Sequence, residues 1–220
     1  EDRKQIADLA IKIKNSHSFS FHLITDTDDA LTSKLTGIAV SFLSDNGYYF
    51  AFNSSNKELI KNLFEDEKLT VIGFDLKFAM KMLLAQDIQI KGNLFDVQIA
   101  HYLLHPDMRN SLDVISENYL KTDLKEESII LGKGKVKVLF SELKQSLITD
   151  YACQRSLSIF NLYKILEKEM VENGVIDLFE KMELPLSKVL AKMELEGIAL
   201  DVKMLNNFSS ELTKKLTFIT

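Results

Sequence analysis

The sequence predicts an α/β domain built on a mixed sheet, followed by an all-helical segment. Three observations carry that expectation. β-branched and aromatic runs alternate with helix-period runs through the first half of the chain. Helical spacing dominates the second half. Two prolines and eight glycines among 220 residues leave little linker or low-complexity chain.

Taken in order, FSFHLITDTDD (19–29) reads as a strand running into an acidic turn, with Phe19, Phe21 and Leu23 alternating against Ser20, His22 and Ile24. TGIAVSFL (36–43) and GYYFAF (47–52) follow as strands, and SDNG between them is a hairpin signal. A helix is expected over 56–67 with Asn56 as N-cap, a short buried strand over 69–73, and a helix over 75–86. The helix at 96–104 stops before Pro106, which cannot continue it. Another spans 111–120 with Ser111 as N-cap. Residues 121–138 are charged and Gly-containing, and are expected to form a mobile loop. A long helical region covers about 139–173. A further one covers 177–197, kinked or reopened by Pro185 and ended by Gly197, and Asp201 caps the last helix. The boundary is expected near residue 175, giving an α/β unit at 1–175 and a helical one from 176 to 220.

The 46% hydrophobic content supports a sizeable core. A net charge of −5 gives no bulk reason to bind nucleic acid, although a local basic patch is compatible with it. The single Cys153 excludes an internal disulfide and fits a reducing compartment. No apolar run approaches the ~20 residues that span a bilayer, and the charged, amphipathic start is not a signal peptide. A cytoplasmic protein free of membrane is expected. Residue 1 is not Met and the last helical period is still running at residue 220, so both ends read as cut from a longer chain.

GFDLKFA (73–79), FDVQIAHYLL (95–104), YACQR (151–155) and EKMELPLSKVLAKMELEGIALDVKML (180–205) stand in a telling order. Together with FSFHLIT at the first strand, they resemble the 3′–5′ exonuclease domain of family-A bacterial DNA polymerases and the beginning of the polymerase thumb. The resemblance spans nearly the whole chain, and its last motif is the most specific. It implies a ribonuclease-H-like fold, a mixed sheet flanked by helices and followed by thumb helices. For the full-length protein it implies DNA-directed DNA synthesis in replication and repair, with DNA as partner, the polymerase domain in cis, and a monomer. Mg²⁺ is expected in the polymerase part and no cofactor in this segment.

Carried over residue by residue, the resemblance points to a degenerate site. The first-strand motif F-x-F-D-x-E-T has His22 for its Asp and Ile24 for its Glu. Gly37 falls thirteen residues after Ile24, as the family's second-strand glycine does after the Glu, so no gap is needed. The second-motif Asp is Ala79 and its Asn is Asp75; the third-motif Asp is Arg155, while its Tyr survives as Tyr151. Two-metal chemistry needs hard oxygen ligands, mainly carboxylates. Here an imidazole, an alkyl group, a methyl group and a guanidinium take the four places, moving their formal charge from about −4 to about +1. A catalytically inactive domain with a scaffold role is expected.

The alternatives are an active exonuclease using shifted carboxylates such as Asp26, Asp28, Asp75 and Asp96, or a non-enzymatic interaction module. Asp26, Asp28 and Asp29 otherwise read as a solvated turn. His101 and His105 share a helix face but lack the H-E-x-x-H pattern, and Cys153 reads as core. LGKGKVKVL (131–139) reads as a flexible basic loop, and Met80, Met82, Met182, Met193 and Met204 as core. Arg155 is expected either to pair with Asp75 across the old cleft or to extend into solvent.

Overall fold

The alternating apolar run near the start of the chain becomes the central strand of a five-stranded sheet. The computed structural model describes residues 3–27, 29–132 and 138–219. Helix α1 (Arg3–Ser16) leads into β1 (Ser18–Thr25), followed by β2 (Leu35–Ser41), β3 (Gly47–Ala51), α2 (Lys57–Phe64), β4 (Thr70–Gly73), α3 (Leu76–Leu84) and β5 (Asn93–Asp96). The sheet order is β3-β2-β1-β4-β5. β1 runs antiparallel to β2 and parallel to β4, so the sheet is mixed. Ile24 lies directly opposite Gly37 across β1 and β2. A Cβ at Gly37 would stand 2.2 Å from the Tyr49 hydroxyl and 2.6 Å from its ring, so a side chain there requires Tyr49 to move.

The remaining elements are α4 (Val97–Leu104), α5 (Leu112–Leu120), α6 (Glu127–Leu131), a 3-10 turn (Phe140–Glu142), α7 (Gln145–Glu172), α8 (Ile176–Leu178), a π turn (Phe179–Glu183), α9 (Leu184–Glu196) and α10 (Val202–Ile219). Phe19, Phe64, Ile72, Leu83 and Ile159 belong to the main core. A second, smaller cluster gathers Ile24, Ala39, Leu131, Phe140, Ile148, Tyr151 and Ala152. A buried serine cluster sets the register of α7 on the sheet. Ser20 Oγ donates to the Ser156 carbonyl at 2.6 Å, and Ser41 Oγ and Ser156 Oγ share a hydrogen bond at 2.9 Å.

Several local expectations need correction. Residues 121–138 are not one loop, since α6 forms within them and Leu124 and Leu131 are buried. β5 was hidden in sequence because Asn93 and Asp96, two of its four residues, are poor strand formers. Asn56 occupies the N-cap position of α2 without a capping side-chain bond; its Nδ2 donates to the Ala51 carbonyl, and Asn53 Oδ1 accepts from the Ser55 and Asn56 amides. Ser111 likewise precedes α5 without a side-chain cap bond. Asp201 does cap α10, accepting from the Met204 amide at 2.8 Å. Pro185 opens α9, the position where its missing N–H costs nothing. Met80 and Met82 are core, but Met182, Met193 and Met204 are exposed, because their helices present that face to solvent.

Candidate functional site

β1, α3 and α7 each carry a motif, and they converge on one cleft of about 460 Å³. It is lined by His22 from β1, Asp75 and Ala79 from the start of α3, and Tyr151 and Arg155 from α7. Tyr151 and Arg155 meet there because residues four apart share a helix face. Ile24 is the exception. It is 1% exposed and sits beneath the cleft in the small core with Leu131, Phe140 and Tyr151. Sequence reasoning missed the opposite wall, made by Ser111 and Asp113 at α5 and by Glu126, Glu127 and Phe140. The buried Leu124 and Leu131 flanking charged residues were the available signal.

Arg155 follows neither expectation. It is 9% exposed, so it does not extend into water, and no ion pair joins it to a described carboxylate. Its guanidinium carbon lies 4.5 Å from the Tyr151 ring centroid, a cation–π arrangement. Nη2 donates to the Lys125 carbonyl at 3.1 Å, while Nε is buried without a hydrogen-bond partner. Asp75 is occupied elsewhere. It adopts a left-handed backbone, φ 53°, and its Oδ1 accepts from the Phe78 amide to cap α3. Asn and Asp are the residues that tolerate this conformation. Asp75 therefore has a backbone role here that an Asn could also fill.

The His22 ring contacts Tyr151 edge-on at 5.8 Å. It keeps part of its surface open to the cleft, yet burial, with Arg155 nearby, lowers its pKa to about 3. It is neutral at ordinary pH. Asp96 is 1% exposed and accepts from the amides of Leu76, Gln98 and Ile99, joining the N-termini of α3 and α4. Burial, opposed by those bonds and aided by the Asp75 charge, raises its carboxyl to about 6.

Two divalent ions would need several converging carboxylate oxygens. The four corresponding positions supply none, and Asp75 and Asp96 serve helix ends. Among the described residues no three His, Cys, Asp or Glu side chains gather as a metal site. The donor set does not fit the ions. Asp29 accepts from the Leu31 amide and Thr32 hydroxyl in a turn, and Asp28 lies outside the described residues. So does most of the basic run, residues 133–137. His101 and His105 are held apart in function: His101 Nδ1 bonds Asn110 and His105 Nε2 bonds the Tyr119 hydroxyl. Cys153 is half-buried, and burial pushes its thiol up to about 11. No helix among the described residues is long and apolar enough to cross a membrane.

Residues 1–171 match a family described as a 3′–5′ exonuclease of family-A DNA polymerases. The chain is 30% identical over 211 residues to DNA polymerase I of Borreliella burgdorferi, covering 91% of this chain and 23% of that one. It is 29% identical over 184 residues to DNA polymerase I of Bacillus subtilis, covering 81% and 20%. The chain thus spans less than a quarter of these relatives. Among solved structures, the POL domain of Pol1 from M. smegmatis, in complex with DNA primer-template and dNTP, superposes with a TM-score of 0.76 at 22% identity, over 94% of this chain and 34% of that one. Brucella melitensis NrnC superposes with a TM-score of 0.68 at 17% identity, over 82% and 86%. These likenesses identify the ribonuclease-H-like 3′–5′ exonuclease fold.

Proposed function

The chain belongs to the 3′–5′ exonuclease family of family-A DNA polymerases, and from that premise we propose that it is a catalytically inactive member acting as a scaffold. The observation that carries the reading is the complete replacement of the carboxylate set by His22, Ile24, Ala79 and Arg155, with Ile24 sealed at 1% exposure. A cleft without converging carboxylates cannot hold two ions in register, so it cannot activate water and stabilise the leaving oxygen. Restoring one carboxylate would leave that geometry incomplete.

The scaffold role is supported by the contact between α3 and α9. Glu194 of α9 bonds Lys77 at 2.7 Å and also pairs with Lys81, both on α3. Ala191 and Ser187 of α9 are buried. The helix that carries a ligand Asp in active relatives, here Ala79, therefore holds the first long helix after residue 175. In this reading residues 1–175 are the exonuclease-like unit and 176–220 begin the polymerase thumb. The whole protein is a DNA polymerase I that copies a template, binds DNA, uses Mg²⁺ in its polymerase part and works as a monomer.

A Mn²⁺ titration of the 220-residue chain by calorimetry tests the inactive site. No saturable binding is expected at millimolar ion. A stoichiometric site weakened by changing Asp75 or Asp96 would favour catalysis through shifted carboxylates instead.

A further inference from the structure

We propose that the side chains at the former ligand positions form a latch that straps residues 125–131 across the cleft and opposes entry of a single-stranded 3′ end. Its meaning for DNA rests on the inactive-domain reading; its geometry does not.

The strap is tied at both ends. At the first, Leu124 is 4% exposed in the main core, and the next carbonyl, Lys125, accepts from Arg155 Nη2 at 3.1 Å. A charged donor makes this bond stronger than a neutral one. The Tyr151 ring supports the guanidinium at 4.5 Å. At the other end, Leu131 is 2% exposed among Ile24, Phe140 and Tyr151, and its carbonyl accepts from the Val138 amide at 2.8 Å. Between the ties, α6 has five residues. A helix that short is not stable alone in water, so its order comes from these anchors.

Carboxylates at the same positions would undo both ties. A Glu in place of Ile24 could not be buried against Leu131 without an uncompensated charge. An Asp in place of Arg155 could not donate to a carbonyl. Two of the four replacements, Ile24 and Arg155, are the ones that supply the anchors. Among the described residues, Asp75, Asp113 and Glu126 line the strapped cleft beside Arg155, a lining that does not favour a phosphate chain.

Hydrogen exchange read by mass spectrometry on the 220-residue chain tests the latch. In the unmodified protein the 125–131 peptide exchanges at least ~10-fold more slowly than an unstructured peptide. Arg155→Met speeds it about tenfold, equivalent to ~1.4 kcal/mol, and leaves β1 and β4 peptides unchanged. Arg155→Lys restores part of the protection, because a lysine can still donate to the Lys125 carbonyl. If Arg155→Met unfolds the chain, Leu131→Ala is read the same way from the opposite tie. Unstructured exchange rates at 125–131 in the unmodified protein, or no acceleration in either variant, would overturn the latch. Cleavage of single-stranded DNA by the unmodified chain would end the inactive-domain reading and leave the exchange result standing.

Discussion

Ile24 is the buried member of the proposed inactive set, at 1% exposure. A glutamate there would sit in the apolar cluster with Leu131 and Phe140. Ile24→Glu is expected to cost more than ~3 kcal/mol, the scale of an uncompensated buried charge, in urea unfolding. Arg155→Asp alone is expected to give no measurable nuclease activity, because the other positions still lack oxygen ligands; clear 3′–5′ cleavage by that variant would refute this. His22 adds a pH signature. Its folded pKa is about 3 against an ordinary value of 6.5. Between those values the unfolded chain binds a proton that the folded chain refuses, so this contribution to stability is lost as pH falls through that window. Each pH unit is worth ~1.4 kcal/mol, reduced by the part of the ring left open to solvent. Asp96, raised to about 6, acts in the opposite direction between 3.8 and 6. His22→Gln should therefore flatten the acid limb of the stability curve measured by thermal unfolding, and an unchanged limb would contradict the buried neutral imidazole.

At the scale of elements, four of the strands and the long helices of the second half were legible because their periods are strong, whereas α1 was read only as a charged, amphipathic start. The thirteen-residue spacing from Ile24 to Gly37 was legible in sequence, but their pairing across β1 and β2, and the closeness of Tyr49 to Gly37, were not. β5 was not legible because Asn93 and Asp96 at its ends are poor strand formers, and α6 because five residues show no period. Gly92, just before β5, marks a close contact: a Cβ there would lie 2.1 Å from the Leu69 carbonyl oxygen. Gly92→Ala should cost ~1–3 kcal/mol, as overpacking does, and a neutral result in urea unfolding would show that β5 can shift. On α9, Glu194 has a carboxyl held down to about 2 by its hydrogen bonds to Lys77 and Lys81. Glu194→Gln should speed exchange in the 184–196 peptide and leave the sheet unchanged. Its contribution is present above about pH 4.5 and is lost as pH falls toward 2.

For the whole molecule, the motifs located the cleft in sequence, and the structure gathers His22, Asp75, Ala79, Tyr151 and Arg155 around it. The fate of Arg155 was not legible. Its partners are a backbone carbonyl thirty residues away and a ring on its own helix, and neither leaves a pattern in composition. Asp75 looked available as a counter-ion only because its capping bond and left-handed backbone are invisible in sequence. In the proposed reading the fold keeps the cleft while packing residues stand at the positions that would hold ion ligands. The most direct check is to incubate the 220-residue chain with a 5′-labelled single-stranded DNA in millimolar Mn²⁺ or Mg²⁺ and follow the label by gel. An inactive scaffold leaves the oligonucleotide at full length; a metal-dependent ladder of products shortened from the 3′ end would contradict it.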